Sequence, residues 1–253
     1  MLTNANSVFF NFSDEDKKLF DPVQHEHWDN IKKYYEKLKK ECLSEVYLPQ
    51  SGSHRGWITS RVNFHVSQSL MRLLYLTEEF CNSANAFNSV ATAALAKSIT
   101  EVPLHIGYIV WILSECRDFE KIRQELHKIS FGNRDPKTGL TTSGKITHKE
   151  LYTRSDQMLQ KLFKDEPSKI NIVESFYKDS NATGHHNYEA CMLTGIQNKD
   201  TWKAGDRKEL FIFFSNKIFP FFLHCDATLE ISSILLNAIK YHLENLPENF
   251  TKR

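Results

Sequence analysis

From Ala86 to Ser114 the only formally charged side chains are Lys97 and Glu101, with His105 four positions further on. A stretch this long and this apolar reads as a buried helix at the centre of the fold. On a 3.6-residue period Lys97, Glu101, His105 and Tyr108 fall at i, i+4, i+8 and i+11, so they share one stripe while the other faces are Ala, Val, Ile, Leu, Phe and Trp. Polar groups inside a core have to find partners. The stripe is therefore a candidate ligand site, with Glu101 and His105 as its titrating pair. The alternative is structural: an internal Lys97–Glu101 ion pair that fixes helix register, with His105 and Tyr108 hydrogen-bonded to a neighbouring helix. Pro103 removes one backbone donor and should kink the helix near Val102.

The rest of the chain also reads as helix. Asp21-Pro22 is a helix start, since Asp accepts from first-turn amides and Pro at the first position gives up no needed donor. The helix it opens should reach about Val46, with Trp28, Ile31, Tyr35, Leu38 and Cys42 inward and Lys32, Lys33, Lys37, Lys39 and Lys40 among the outward positions. A second helix over Trp57 to Cys81 buries Ile58, Val62, Val66, Leu70, Leu73, Thr77 and Phe80, beside a stripe of Arg61, His65, Gln68 and Arg72. Shorter helical patterns follow at 118–129, 147–163 and 167–179, and a long one over 207–246 is expected to break at Pro220. Residues 130–145 collect Gly, Pro, Ser, Thr and Asn and read as a long loop. Strict alternation bounded by hairpin turns is absent, so little or no sheet is expected. The fold class is all-α: an antiparallel helical bundle around a buried, Pro-kinked central helix. Residues 1–20 are taken as an N-terminal extension and 21–253 as a single helical domain.

Composition excludes some functions. Thirty-two basic against thirty-one acidic residues rule out a generally basic nucleic-acid surface, though local patches stay open. The five scattered cysteines suit reduced, buried thiols and make no zinc-knuckle spacing. The acidic N-terminal stretch Asp14-Glu15-Asp16 does not resemble a secretory signal, and the run from Val102 to Ser114 is too short to span a bilayer. A cytoplasmic protein with no membrane partner is expected.

Three further constellations bear on chemistry. Gly139-Leu-Thr-Thr-Ser-Gly144-Lys145 matches a phosphate-binding loop until Ile146, which stands where a hydroxyl should hold magnesium, and no buried strand precedes it. Arg61 and His65 lie four apart on one helical face, as do Arg123 and His127, pairing a cation with a proton-transfer group suited to a phosphodiester. Arg61 and His65 are the catalytic candidates. His185 and His186 join Lys97, Glu101, His105 and Tyr108 as ligand-binding candidates, although Gly184-His185-His186-Asn187 also reads as a helix end. His25, His27, His185, His186, His224 and His242 with Asp226 and Glu230 could in principle assemble a metal site, but their spacing is not diagnostic of one. No cofactor and no metal are expected.

The segment Ala94-Leu95-Ala96-Lys97-Ser98-Ile99-Thr100-Glu101 with its apolar continuation precedes Phe176-Tyr177-Lys178-Asp179-Ser180, a following His185 or His186, and a long C-terminal helix. Over about residues 57 to 246 this order resembles bacterial helical proteins that are similar to the HEPN group. The resemblance implies a dimerising helical bundle. It also implies, for active members, metal-independent ribonucleases of toxin and phage-defence systems that use Arg, four to six intervening residues, then His. Arg61 and His65 have three residues between them. The expected function is a binding protein acting through a protein partner or its own homodimer in a stress or defence setting. An RNA-cleaving enzyme and a small-ligand sensor are the alternatives.

Overall fold

The computed structural model describes residues 9–18, 20–49, 52–131, 146–163, 171–184, 193–198 and 201–250. It is mostly helical. In chain order it holds α1 (Asp14–Lys17), α2 (Pro22–Glu41), α3 (His54–Asn85), α4 (Ser89–Thr100), α5 (Val102–Glu115), α6 (Phe119–Phe131), α7 (His148–Leu162), α8 (Ile172–Gly184), β1 (Gly195–Asn198), β2 (Thr201–Ala204), α9 (Arg207–Phe213) and α10 (Ser215–Glu244). The two strands pair antiparallel, Gly195 against Ala204 and Asn198 against Thr201.

Three boundaries differ from expectation. The helix expected across 86–114 is two helices, α4 and α5, divided at Glu101. Pro103 has no N–H to return to Ile99, and the Ile99 carbonyl instead takes the Glu101 N–H. The N-terminal helix stops at Glu41 rather than Val46. In the C-terminal pattern the break falls at Phe214, while Pro220 sits inside α10. Close to a helix start a proline forfeits only one bond and is carried by the packing of its neighbours. Asp21 accepts from the Gln24 N–H at 2.9 Å as expected, and Thr147 caps α7 by accepting from the Glu150 N–H, while Asp206 caps α9 by accepting from Lys208 and Glu209.

The contacts divide the chain into two compact units. The first comprises Met1–Lys40, Arg72–Glu101 and Ser175–Glu230. Its core is aromatic. Phe10 and Phe12 lie 5.5 and 5.0 Å from Trp28, Phe20 closes on the same indole edge-on at 4.9 Å, and Phe80 meets Phe222 at 5.4 Å. Residues 9–12 of the N-terminal twenty are thus part of this packing. Ser13 caps α1, and Asp16 receives Lys208 of α9 at 2.5 Å.

The second unit comprises Glu41–Met71, Val102–Glu174 and Ile231–Arg253. Here α5 is nearly all buried, from Val102 to Val110 except His105. It packs along α7, where Ser155 Oγ donates to the Leu104 carbonyl at 3.0 Å, and against α6 through Ile122 and Leu126. Asp156 of α7 accepts the N–H groups of Val173 and Glu174 at 3.0 and 3.1 Å, satisfying the first turn of α8. By length and composition α10 is long and apolar enough to cross a membrane, but 67% of its most apolar window is buried inside the protein.

Candidate functional site

The first turns of α3 carry His54, Trp57, Arg61 and His65 at spacings of three and four, which puts them along one face. Packing fixes each in place. Phe119, at the start of α6, stacks on His54 at 4.0 Å and stands edge-on to Trp57 at 5.5 Å. The Arg61 guanidinium lies over the Trp57 ring, 5.5 Å from its centroid, an arrangement that holds a planar cation without neutralising it. Arg61 is half-buried, and His65 is only 4% exposed.

His65 is pushed down to about 4, first by burial, then by the positive charge of Arg61 and of His105 on α5. That coupling joins two groups the sequence lists separately: His105 belongs to the apolar-helix stripe, and Arg61 with His65 to the neighbouring helix. Burial does most to keep the His65 imidazole neutral, and the positive charge of Arg61 adds to it. An anion held by Arg61 would offset the part of the shift that its charge supplies.

The remaining sequence candidates fall elsewhere. Glu101 accepts from Arg72 Nη2 at 3.3 Å, an ion pair supplied by α3. Lys97 and Glu101 belong to the first unit, His105 and Tyr108 to the second. Tyr108 is fully buried and donates to Glu125 Oε2 at 2.8 Å. Burial pushes the Glu125 carboxyl up, but Lys121, Lys128 and Tyr108 outweigh it and hold it below the usual range. The Arg123 guanidinium is taken by Glu120 at 2.7 Å. His185, His186 and the 139–145 phosphate-loop candidate lie outside the described residues. Among the described residues no three His, Cys, Asp or Glu side chains are placed to hold a metal ion. The apolar patch that a partner at 211–222 would need is mostly core: Phe211, Phe214, Ile218, Phe221 and Phe222 are buried, and Phe213 alone of these phenylalanines is exposed, at 61%.

A second polar cluster brings together His27, Asp226 and Glu230, which the sequence offers only among scattered metal-site candidates, with Asn30 and Tyr34. His27 Nδ1 lies 2.7 Å from Asp226 Oδ2, and Asn30 donates to the same oxygen at 3.3 Å. One turn along, Tyr34 donates to Glu230 at 3.0 Å. The signal was present on α2, where His27, Asn30 and Tyr34 step by three and four, but nothing in the apolar run of α10 marks Asp226 as their partner. Comparisons with protein-family models, curated proteins and solved structures return no match.

Proposed function

We propose that this chain is a helical binding protein that recognises a phosphate-bearing ligand, RNA foremost, through Arg61 with His65 and His105. The observation that carries the reading is the seating of the half-buried Arg61 guanidinium on the Trp57 ring, one helical turn from the buried His65. Arg61, propped on Trp57 and half-buried, supplies the planar donor set that phosphate oxygens accept. The wider proposal is an antiparallel HEPN-like bundle in the cytoplasm, working as a homodimer or with a protein partner in a bacterial stress or phage-defence setting; its helical content supports it.

Burial favours binding over cleavage. An imidazole that is only 4% exposed has little access to a scissile bond. The sensor reading, centred on Glu101, is weakened by the Arg72 ion pair that already occupies that carboxylate. The test is NMR titration of the His65 ring with and without inorganic phosphate, then with an RNA oligomer. Phosphate should raise the His65 midpoint above about 4, and Arg61→Ala should abolish the rise. An unchanged midpoint overturns the proposal. RNA cleavage that disappears in His65→Ala would move the function to the enzyme reading.

A further inference from the structure

The second half of α2 carries Lys32, Lys33, Lys37, Lys39 and Lys40 with Glu36 as the single carboxylate between positions 32 and 40, in a chain whose overall formal charge is only +1. The structure sorts these lysines. Lys32 lies over the Phe9 ring at 5.4 Å and Lys39 over Tyr35 at 5.7 Å, so both lean along the edges of the buried face formed by Ile31, Tyr35 and Leu38. Lys33, Lys37 and Lys40 stand at i, i+4 and i+7 on the opposite side, all exposed, with Lys33 lying over the Tyr34 ring at 5.2 Å and the exposed Asp29 and Glu36 four residues before Lys33 and Lys40. Among the described residues no ion pair holds any of the three. They form one file of point charges spanning about 10 Å of helix.

We propose that this file is a docking face for the phosphate backbone of a single-stranded nucleic acid, separate from the Arg61 site and standing without it. Charge complementarity selects the occupant. The file is one side chain wide, matching a single row of phosphates, and lysine contacts phosphate as a mobile point charge without base preference. A lipid surface fits less well, because the apolar face that an interfacial helix would insert is the one α2 already buries in Trp28, Ile31, Tyr35 and Leu38. The lysines also lie toward the helix C-terminus, where positive charge steadies the helix dipole, so a purely structural role makes its own prediction: altered stability and unaltered binding.

The experiment is fluorescence anisotropy of the whole protein with a labelled oligouridine across a salt series, for the wild type and for the triple variant Lys33→Glu, Lys37→Glu, Lys40→Glu. Binding should weaken with salt. In the variant the slope of log K against log salt should be shallower by about 2, three single-strand contacts at roughly 0.7 each. Thermal unfolding of the variant serves as the control for folding. The proposal fails if the wild type does not bind, if the variant keeps the full slope, or if co-sedimentation with phosphatidylserine vesicles is the only interaction the three lysines control. The two readouts separate the sites: loss of the phosphate-induced His65 response in Arg61→Ala, with the slope falling by no more than the roughly 0.7 of one contact, leaves this face intact, and a flattened slope in the lysine variant with a normal His65 response leaves the Arg61 site intact.

Discussion

Gly107 of α5 lies so close to Ser155 of α7 that a Cβ built on the glycine would stand 2.4 Å from Ser155 Oγ and 2.9 Å from its Cα. A rotamer change can move the hydroxyl; it cannot move the backbone. The same serine anchors the contact by donating to the Leu104 carbonyl at 3.0 Å. Gly107→Ala therefore has to part the two helices along their whole packed length, and overpacking of this kind costs about 1–3 kcal/mol. Urea unfolding should show a lower midpoint for this variant, and Gly56→Ala, whose added Cβ would meet only the Ser53 hydroxyl at 3.3 Å, should change far less.

Tyr108 and Glu125 are a second such pair. The phenol donates at 2.8 Å to a carboxylate that is 2% exposed and is also held by Lys121 and Lys128. Tyr108→Phe removes a hydrogen bond to a charged acceptor and should cost about 1.5–3 kcal/mol. Glu125→Gln in the same background should cost less than it does in the wild type, a non-additivity that a double-mutant cycle would read.

These contacts mark where sequence reading ends. The period of three and four in Ile31, Tyr35 and Leu38, or in Ile58, Val62, Val66 and Leu70, states a buried face without reference to any partner, and all of these residues are in the core. Caps such as Asp206 and Thr147 are equally local. Pairings are not. Tyr108 needs Glu125, Glu101 takes Arg72, and His27 meets Asp226 across a separation of 199 residues. Periodicity places each group on a face and leaves open which face it meets. Arg61 and His65 share a face because both lie on one helix, whereas the influence of His105 on His65 depends on how α5 packs.

Phe12 tests whether the N-terminal residues belong to the folded unit. It is 5% exposed, lies 5.0 Å from both Trp28 and Phe20, and 5.6 Å from Phe87. Phe12→Ala should cost about 3–5 kcal/mol, the range for removing a buried aromatic ring. An extension lying outside the core would give a change near zero. Tryptophan fluorescence during denaturation reads the outcome directly, since Trp28 is the ring that loses its neighbour.

His65 links the candidate site to acid stability. Burial, with Arg61 and His105, holds it near 4 in the folded chain against 6.5 when free, so between those values the unfolded state binds more protons. Its contribution is present above about 6.5 and is lost as pH falls through about 4. His65→Gln should remove this acid sensitivity: plotted against pH, the stability of the wild type relative to the variant should decline from pH 6.5 downward, by an amount on the order of 3 kcal/mol at its limit.

Asp156 acts in the opposite direction over an overlapping range. Burial raises it to about 6 from 3.8, against the two backbone N–H groups of Val173 and Glu174 that favour its charge. The folded state then binds more protons than the unfolded one, so the contribution is present below about 3.8 and is lost as pH rises through about 6. Asp156→Asn should flatten that loss, with the wild type losing ground to the variant between about pH 4 and 6 by on the order of 3 kcal/mol. His65 gains stability across the window in which Asp156 loses it, so the two contributions oppose each other there. Measured relative to the double variant, each single variant should show the other residue's slope, of opposite sign. Chemical denaturation at a series of pH values would detect both, and slopes of the same sign in the two single variants would show that the linkage is assigned to the wrong residues.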